Sequence, residues 1–396
     1  MSTDTLLTPS IISKDSLVIL VNNLVMAGRV NRVFEEQMGA KIGTQLTVRK
    51  PNKFIVSEGA GLAVQDIIEP STTITISNQS HVDFQFGTAA LTLVVEEFRE
   101  RYLKPAMEKL ANRIDRGVLT NITSVYNEVG TVTVIPTNFA AIAAVGRRLD
   151  EEAAPQQDRT LVLGPAAYWS VANGISGVFV QSVAEPAFKG FVPNIANMEI
   201  YLDQNIPTQQ TGTYSGTPVV FGASQTGSTL VTTGWTGGLT GMLNVGDVFT
   251  VAGVNAVNPE SLASTGVLRN FVVTATASSN AGGNSSISIY PPITTSGAYQ
   301  TVDASPISGA AITVISGASG ANLAKNIGFT KDCFGLVTVP LIMPDGVDFK
   351  SQETYKGITL RVIRAYDINN DVMPTRLDVM WGTSVYYPEL GCRLTN

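Results

Sequence analysis

Apolar residues near the amino terminus recur at the spacing of an amphipathic helix over residues 14–38. Ser13 or Asp15 would cap the start of this helix, and Gly39 would end it. A helix so close to a chain end needs a surface on which to pack. In a single subunit that surface would be its own core, and in an assembly it could belong to a neighbouring copy.

Residues 41–88 alternate between apolar and polar side chains, as strands with one covered face do. The alternation is clear at 46–48, at 54–56 and again from Ile74 to Phe86, and a glycine-bearing stretch separates the two halves. We therefore predict a long two-stranded arm. An isolated two-stranded hairpin is only marginally stable in water, so such an arm favours a partner surface and indicates assembly.

The clearest predicted helix lies within residues 89–128, where the segment 95–116 carries eleven charged residues in twenty-two positions. One stripe of this helix is apolar and advances about one turn at a time. Its members are Phe98, Tyr102, Ala106, Leu110, Ile114 and Val118. We expect Pro105 to kink or split the helix, because proline removes a helical hydrogen bond. The length of the segment indicates a structural strut.

The pattern over residues 138–205 is mixed. A short helix is predicted over 138–152, capped by Thr137 or Asn138. A buried strand leading into a helix is predicted over 159–172, and a further strand over 198–202.

Residues 206–325 differ sharply from the rest because they contain only five charged residues, Asp247, Glu260, Arg269, Asp303 and Lys325. Short β-prone runs alternate there with clusters of Gly, Ser and Thr. This pattern predicts a small all-β domain, a barrel or a sandwich. The domain is inserted, since strands of the earlier style resume over 326–396, at 335–341, 358–367 and 375–387.

Composition narrows the class of protein. With 44% hydrophobic and 15% charged residues, the chain can bury cores and does not have the composition of a disordered protein. Its net charge of −6 lacks the basic excess with which proteins bind phosphates. We see neither a signal peptide nor an apolar run long enough to span a membrane, which predicts a protein made in a cytoplasm.

Residues that could carry catalysis or hold a metal are few and scattered. The one histidine, His81, lies in a predicted strand, and no recognisable nucleophile motif surrounds it. The two cysteines, Cys333 and Cys392, are expected to be reduced core thiols, and their spacing does not form a zinc motif with His81. There is no phosphate-binding P-loop. We therefore expect no catalytic, cofactor-binding or metal-binding residues and no enzymatic activity.

Other polar clusters have structural interpretations. The glycine-rich stretch 234–241 is predicted to be a loop. Glu96, Glu97 and the carboxylates at 150–152 are predicted to lie on solvated helix faces. The acidic stretch 367–371 lacks the spacing of a calcium-binding loop and is predicted to be a turn between strands.

Three stretches carry a resemblance to one protein family. In LKPAMEKLANRIDR (103–116) a charged run leads into a K-L-A-N segment, and in MLNVGDVFTVAGV (242–254) G-D precedes a β-prone run and A-G-V. In ANLAKNIGFTKDCFGLVTVPL (321–341) an aromatic residue precedes a strand that closes on a proline. Together with the order of parts, they resemble the major capsid proteins of tailed phages of the Hong Kong 97 type, also called the Johnson fold. The inserted β-domain looks like that of the Salmonella short-tailed phage branch.

The resemblance covers nearly the whole chain and implies an α+β fold, the Hong Kong 97-like capsid fold with an inserted all-β barrel-like domain. It divides the chain into an N-terminal arm helix (1–40), an extended two-stranded E-loop (41–88), a spine helix with peripheral domain (89–158), a first axial part (159–205), the inserted domain (206–325) and axial and peripheral return strands (326–396). The implied function is that of a major capsid protein, which self-assembles into an icosahedral shell enclosing the double-stranded DNA genome of a tailed bacteriophage.

The resemblance also implies partners and a location. Further copies of the chain, arranged in hexamers and pentamers, would be the main partner, with contacts from residues 14–38 and 41–88. A scaffolding protein, a portal and a decoration protein are additional candidates, and the DNA would be enclosed without sequence-specific binding. The protein would be made in the bacterial host cytoplasm and reside in the virion. A lysine on the arm, Lys50 or Lys53, could form an isopeptide bond with a neighbour, although no other residue supports this.

Three alternatives remain at this point. A tail, fibre or surface adhesin would account for the Ser/Thr/Gly-rich β-region, but the charged helix at 95–116 and the lack of fixed-period repeats argue against it. An encapsulin-type compartment shares the shell fold, although the inserted domain disfavours it. A β-rich glycosidase would need a carboxylate pair, and no constellation of residues supports one.

Overall fold

The computed structural model describes residues 9–33, 45–62, 64–87, 102–175, 195–347 and 349–395. Contacts divide the chain into two compact units. The first consists of Met1–Val48, Ser71–Val118 and Phe334–Ser384, and the second of Arg49–Pro70, Leu119–Cys333 and Val385–Asn396.

The described helices are α1 (Pro9–Asn23), α2 (Lys104–Thr120), α3 (Phe139–Glu151) and α4 (Pro165–Ile175). The described strands are β1 (Gln45–Arg49), β2 (Ser71–Thr75), β3 (Asn78–Gly87), β4 (Glu128–Val129), β5 (Arg159–Leu163), β6 (Glu199–Leu202), β7 (Thr208–Gln210), β8 (Gly216–Val220), β9 (Gly227–Trp235), β10 (Val248–Val257), β11 (Ser264–Val273), β12 (Ser285–Ile293), β13 (Ile312–Val314), β14 (Asn322–Thr330), β15 (Phe334–Val339), β16 (Phe349–Tyr355), β17 (Ile358–Arg364), β18 (Val372–Val385) and β19 (Gly391–Thr395).

The first unit is organised by a five-stranded sheet in the order β15-β18-β17-β16, with β3 paired to β18. Strands β3 and β18 pair antiparallel over ten residues, from Asn78 opposite Trp381 to Gly87 opposite Val372. Alternate residues of β17 and β18 are buried and form the core. Strand β3 therefore belongs to this sheet and not to the predicted two-stranded arm, in which only β1 and β2 pair.

The amino-terminal helix begins earlier and ends earlier than predicted. Helix α1 ends at Asn23 because the backbone amides of Val25 and Met26 donate to the Asp115 carboxylate, at 2.7 and 3.1 Å. These bonds replace the helical ones that an extension to residue 38 would require. The helix packs on β16 and β17, so it docks on the core of its own subunit. Its buried apolar residues include Ile12, Leu17 and Leu20. Residues 34–44, and with them the predicted helix end at Gly39, lie outside the described residues.

The charged helix keeps most of its predicted apolar stripe. Four stripe residues of α2 are buried, namely Ala106, Leu110, Ile114 and Val118. Tyr102 is 45% exposed, so its assignment to the stripe is wrong, and Phe98 lies outside the described residues. Pro105 is the second residue of α2, and the π-helical turn at residues 102–103 runs directly into the helix before it. Such an irregular turn is one of the ways in which a helix accommodates a proline.

The second unit contains a mixed sheet in the order β4-β19-β14-β5-β6, with β7 also paired to β14. Helices α3 and α4 supply apolar side chains to its core, among them Ile142, Val145 and Val171. Asn138 caps α3 as predicted, because its side-chain oxygen accepts from the amide of Ala141 at 3.1 Å. The predicted strands at 159 and 198 are present as β5 and β6.

The charge-poor segment forms a nearly closed barrel within the second unit. Its six strands follow the order β13-β10-β11-β12-β9-β8. A bridge between Val219 and Ala311 brings the two edges together, and the amide of Val220 donates to the carbonyl of Ala310 at 2.9 Å. Strands β7 and β14, which flank the barrel in sequence, pair antiparallel at its base. The barrel core includes Leu230, Phe249, Phe271 and Ile287. The barrel-like architecture expected for the insertion is confirmed.

Candidate assembly surface

Residues 50–70, which connect β1 to β2 and are called the arm below, present apolar side chains to solvent. Val56 and Leu62 are 90% and 92% exposed. The other large apolar side chains exposed on the arm include Phe54, Val64, Ile67 and Ile68. A run of exposed apolar residues this dense marks a surface that another molecule covers, because leaving it in water is unfavourable.

The two halves of the arm are joined by a backbone bond at the base and by side-chain bonds farther out, where the sequence predicted a strand ladder. At its base, the amide of Lys50 donates to the carbonyl of Pro70 at 2.7 Å. Farther out, the Gln65 side chain takes the place of a strand partner. Its Oε1 accepts from the Ile55 amide at 2.8 Å, and its Nε2 donates to the Ile55 carbonyl at 2.5 Å. The predicted strand at 54–56 is absent, and most of the described residues of the arm are exposed.

Side chains of the second unit hold the base of the arm. The Lys50 ammonium group lies 4.7 Å from the centre of the Tyr387 ring, a cation–π contact, and burial lowers the pKa of Lys50. The Tyr299 hydroxyl lies 2.8 Å from Asn52 Oδ1 and 3.0 Å from the carbonyl oxygen of Ile68. An exposed ion pair of 3.1 Å joins Arg49 to Glu69, and its exposure makes it a weak contributor.

The structure places each of the candidate catalytic residues, His81, Cys333 and Cys392. His81 Nδ1 lies 2.7 Å from Asp83 Oδ2 on the same strand, and both side chains are partly exposed. Cys333 and Cys392 are buried and free. Burial raises the pKa of Cys392 to about 12 and that of Cys333 well above its ordinary value, which suppresses the reactive thiolate. Among the described residues, no group of three or more His, Cys, Asp or Glu side chains could hold a metal ion.

One predicted solvated carboxylate is in fact buried. Glu152 Oε1 accepts from Arg269 at 2.6 Å, and its Oε2 accepts from the Tyr126 hydroxyl at 3.1 Å. The Arg269 guanidinium also lies over the Tyr126 ring, 4.6 Å from its centre. Asp150 is 54% exposed and pairs with the buried Arg159, whereas Glu151 pairs with the exposed Arg147 and the buried Arg148.

The remaining polar stretches can be placed directly. The segment 367–371 is the predicted turn, between β17 and β18, and the Asp367 carboxylate accepts from the Asn369 amide at 3.0 Å. The loop predicted at 234–241 begins inside β9, whose last two residues are Gly234 and Trp235, and the remaining residues 236–241 form the loop. Glu96 and Glu97 lie outside the described residues.

Four charged residues that the sequence did not predict to meet are buried together, and they are called the ionic junction below. They are Glu128, Asp247, Lys325 and Arg393. Lys325 Nζ donates to Glu128 Oε1 at 2.5 Å and to Thr395 Oγ1 at 2.9 Å. Arg393 Nε lies 3.7 Å from Glu128 Oε2. These contacts link three strands of the mixed sheet, since the residues lie on β4, β14 and β19.

Asp247 extends the ionic junction into the barrel. Arg393 Nη1 donates to Gln209 Oε1 at 2.8 Å, and Gln209 Nε2 donates to Asp247 Oδ1 at 3.1 Å. Asp247 Oδ2 accepts from the amides of Gly212 and Asn244, at 2.9 and 2.8 Å. The Lys325 ammonium group also donates to the carbonyl of Ser316, which follows β13. The barrel is therefore fastened to the sheet by buried polar contacts, and a buried polar group without such contacts would be costly.

The electrostatics of the ionic junction keep Glu128 ionised. Burial acts to raise the pKa of Glu128, but Arg393 and Lys325 outweigh burial and hold this pKa below its ordinary value. Burial lowers the pKa of Lys325 and raises that of Asp247. A sequence signal existed: Asp247, Arg269 and Lys325 are three of the five charges in the charge-poor segment, and a charge retained there indicates a specific buried partner.

The family model for the P22 coat protein, gene protein 5, matches residues 1–396. The chain belongs to the P22 coat protein family. It is the major capsid protein of a tailed phage, and the family places this coat protein in the capsid of the virion. The match does not favour the tail-fibre, adhesin or compartment alternatives. No helix among the described residues of the coat protein has the length and apolar character needed to cross a membrane.

Three solved structures match the coat protein to different extents. A structure described as Mycobacterium phage Che8 is 11% identical, with 93% of this chain and 90% of that chain covered at a TM-score of 0.50. The mature capsid of bacteriophage PhiM1 is 10% identical, with coverages of 93% and 86% and a TM-score of 0.47. The I-domain of the CUS-3 coat protein is 28% identical over 25% of this chain and 96% of its own, at a TM-score of 0.19. A comparison with curated proteins found no match. The expected Hong Kong 97-type capsid fold is confirmed.

Proposed function

We propose that copies of this coat protein join into the capsid shell through the arm, which lays its apolar side chains on a neighbouring copy. The observation that carries this proposal is the near-complete exposure of Val56 and Leu62 in the single subunit. Self-association into a shell is a property of the family. An arm that leaves apolar residues in water until it meets another copy couples the burial of those residues to assembly.

The magnitude fits an interface that repeats many times. Fully burying a Val or Leu side chain contributes about 1.5–3 kcal/mol, so Val56 and Leu62 together would contribute about 3–6 kcal/mol per arm. In a closed shell the same patch recurs around symmetry axes, and weak contacts that repeat around a ring reinforce one another.

The proposed roles of the segments follow the family layout. Residues 41–88 contain the arm, residues 89–158 the spine helix, residues 159–205 and 326–396 the axial and peripheral body, and residues 206–325 the inserted domain. Within 1–40, the buried face of α1 is occupied by its own sheet. A contact of α1 with a neighbour would therefore use its solvent-facing side, where Val18 is 40% exposed.

Further partners belong to the same proposal. We expect the coat protein to work with a scaffolding protein, a portal and a decoration protein, and to enclose double-stranded DNA without sequence-specific contacts. The net charge of −6 supports the last point, because counterion release requires a basic surface. Tight, salt-dependent DNA binding by the free subunit would contradict it.

We also propose that the coat protein has no catalytic role. Support comes from the buried cysteines with raised pKa and from His81, whose partner is a surface carboxylate. A reactive thiol would titrate rapidly with a thiol reagent in the native subunit. We expect both cysteines to react only after unfolding.

The arm is tested by combining Val56→Asp with Leu62→Asp. Both side chains are exposed, so we expect the subunit to unfold at the wild-type temperature. Loss of about 3–6 kcal/mol per contact weakens each contact by about 10²–10⁴-fold, and we expect no closed shells. Sedimentation velocity and negative-stain electron microscopy would measure this for the coat protein expressed alone and with the capsid genes encoded beside it.

The matched control combines Val56→Ile with Leu62→Met, which keeps both positions apolar. We expect this variant to form shells as the wild type does. Shell formation by the double aspartate variant at the wild-type yield and rate would overturn the role of the arm.

A further inference from the structure

We propose that the inserted barrel sets the direction of the arm, with Tyr299 as the positioning residue. This inference rests on the proposed function of the arm and adds a second role to the barrel besides completing the subunit core. The barrel and the arm both belong to the second unit, so the contact between them lies within one compact body.

The Tyr299 hydroxyl contacts both halves of the arm at its base. On the outgoing half, it accepts from the Lys53 amide at 3.3 Å and lies 2.8 Å from Asn52 Oδ1. On the returning half, it lies 3.0 Å from the Ile68 carbonyl oxygen. One hydroxyl thus spans the two chain segments from which the exposed apolar residues project.

The polar groups at this point are chemically matched. A tyrosine hydroxyl has one proton to donate and can accept two bonds. The oxygen and nitrogen of an asparagine side chain exchange places when its amide group is flipped by 180°. With the Asn52 amide flipped so that its nitrogen faces Tyr299, the Tyr299 hydroxyl accepts from Asn52 and from the Lys53 amide and donates to the Ile68 carbonyl. This orientation also gives a partner to Asn52 Nδ2, a buried atom that otherwise has none.

Tyr299 is itself held by a tight turn of the barrel. The turn 294–301 follows β12, and the Thr301 side chain fastens it. Thr301 Oγ1 donates to the Pro292 carbonyl at 2.6 Å and accepts from the Thr294 amide at 3.1 Å. The Thr301 amide donates back to the Thr294 carbonyl at 2.9 Å. These hydrogen bonds restrict the motion of the turn, so the Tyr299 hydroxyl keeps its position relative to the barrel. A hydroxyl on a flexible loop would move together with the arm.

A fixed direction matters because every copy must present its arm in the same geometry for identical contacts to close a shell. Beyond Tyr299, the described cross-connection of the arm is the pair of bonds between Gln65 and Ile55. Lys50 remains on Tyr387 when the Tyr299 hydroxyl is removed, so the arm stays attached and gains freedom to swing. Ordering the arm in advance reduces the entropy lost when it binds a neighbour.

The test is Tyr299→Phe, which removes the hydroxyl and keeps the ring. In the free subunit, we expect amide exchange in peptides covering 50–70 to accelerate about tenfold, with barrel peptides unchanged, because a net hydrogen bond corresponds to about that factor. We expect shell assembly to slow by a similar factor or to yield misshapen particles. Asn52→Ala perturbs the same point from the side of the arm and should give the same exchange pattern.

The matched control is Tyr214→Phe. The Tyr214 hydroxyl donates to the Gly317 carbonyl at 2.9 Å, so its loss removes one bond of the barrel and none of those to the arm. We expect it to alter barrel exchange and leave exchange in 50–70 unchanged. If Tyr299→Phe matches the wild type in exchange at 50–70 and in assembly, while the double aspartate variant of Val56 and Leu62 still fails to assemble, the positioning role is refuted and the arm's role stands. If the aspartate variant assembles normally, the proposed function of the arm fails and this inference fails with it.

Discussion

Replacing Lys325 by methionine tests how much the ionic junction, which connects the barrel to the mixed sheet, contributes to the stability of the subunit. The side chains of Lys325 and Glu128 are 1% and 2% exposed, with 2.5 Å between their charged atoms. Methionine fills much of the same volume and removes the charge. Glu128 then keeps only Arg393, at 3.7 Å, as its cationic partner. Removing one member of a buried ion pair costs about 3–5 kcal/mol, and because Arg393 remains, we expect a loss near the lower limit, about 3 kcal/mol.

The matched variant combines Lys325→Met with Glu128→Gln. It restores the balance of charge, since one buried cation and one buried anion disappear together. We expect it to recover at least half of the loss, because an uncompensated buried charge costs more than an absent pair. The coupling in a double-mutant cycle of the two positions should reach about 1.5 kcal/mol or more.

Urea unfolding of the free subunit, followed by circular dichroism and tryptophan fluorescence, measures these differences in the free energy of unfolding. If the single variant Lys325→Met loses less than about 1 kcal/mol, the buried contacts of Lys325 do not stabilise the subunit, since surface substitutions change stability by comparable amounts. A double variant whose loss equals the sum of the two single losses would refute the predicted coupling, because independent sites add.

Two other predictions concern pH and packing. The pKa of Glu128 in the folded protein lies below its unfolded value of about 4.3, so its contribution to stability is complete above about pH 4.3 and is lost as the pH falls through the folded-state pKa. The difference in free energy of unfolding between the wild type and Glu128→Gln, measured by urea titration, should therefore shrink as the pH falls. Burial raises the pKa of Asp247, but Asp247 is present in both proteins, so its titration cancels in the difference. A difference that does not depend on pH would contradict this prediction. Gly117→Ala in α2 places a Cβ 2.1 Å from Cη2 of the buried Trp381. Overpacking costs about 1–3 kcal/mol and exceeds the gain of about 1 kcal/mol in helix propensity. We therefore expect the unfolding temperature of Gly117→Ala to fall. An unchanged or higher unfolding temperature would show that the Trp381 ring moves aside without cost.

Local patterns predicted those parts of the coat protein whose structure is decided locally. The helix after Asn138 could be predicted because its cap lies three residues from the amide it binds, and the apolar stripe of α2 because its period is helical. The end of α1 could not be predicted from the sequence. The side chains of Val25 and Met26 are apolar and continue the helical pattern, but their backbone amides bind Asp115, about ninety residues away in sequence.

The arm could be predicted from local sequence patterns, whereas the ionic junction and the contacts of Tyr299 could not. The exposed arm could be predicted as a segment in need of a partner, because alternating apolar residues without a second covered strand are unstable alone. The ionic junction and the burial of Glu152 were missed, because Arg269 lies 117 positions from Glu152 and a helix carboxylate is ordinarily solvated. Nothing in the sequence around Tyr299 distinguishes it from other turn tyrosines. Its role becomes visible only when the fold brings residues 52 and 68 to its hydroxyl.

In the proposed assembly, the arm buries its apolar side chains against a second copy of the coat protein. An electron cryomicroscopy structure of the assembled shell tests it most directly, at Val56 and Leu62. We expect both side chains, almost fully exposed in the subunit, to be buried against a neighbouring copy. Finding both still in contact with solvent in the closed shell would contradict it.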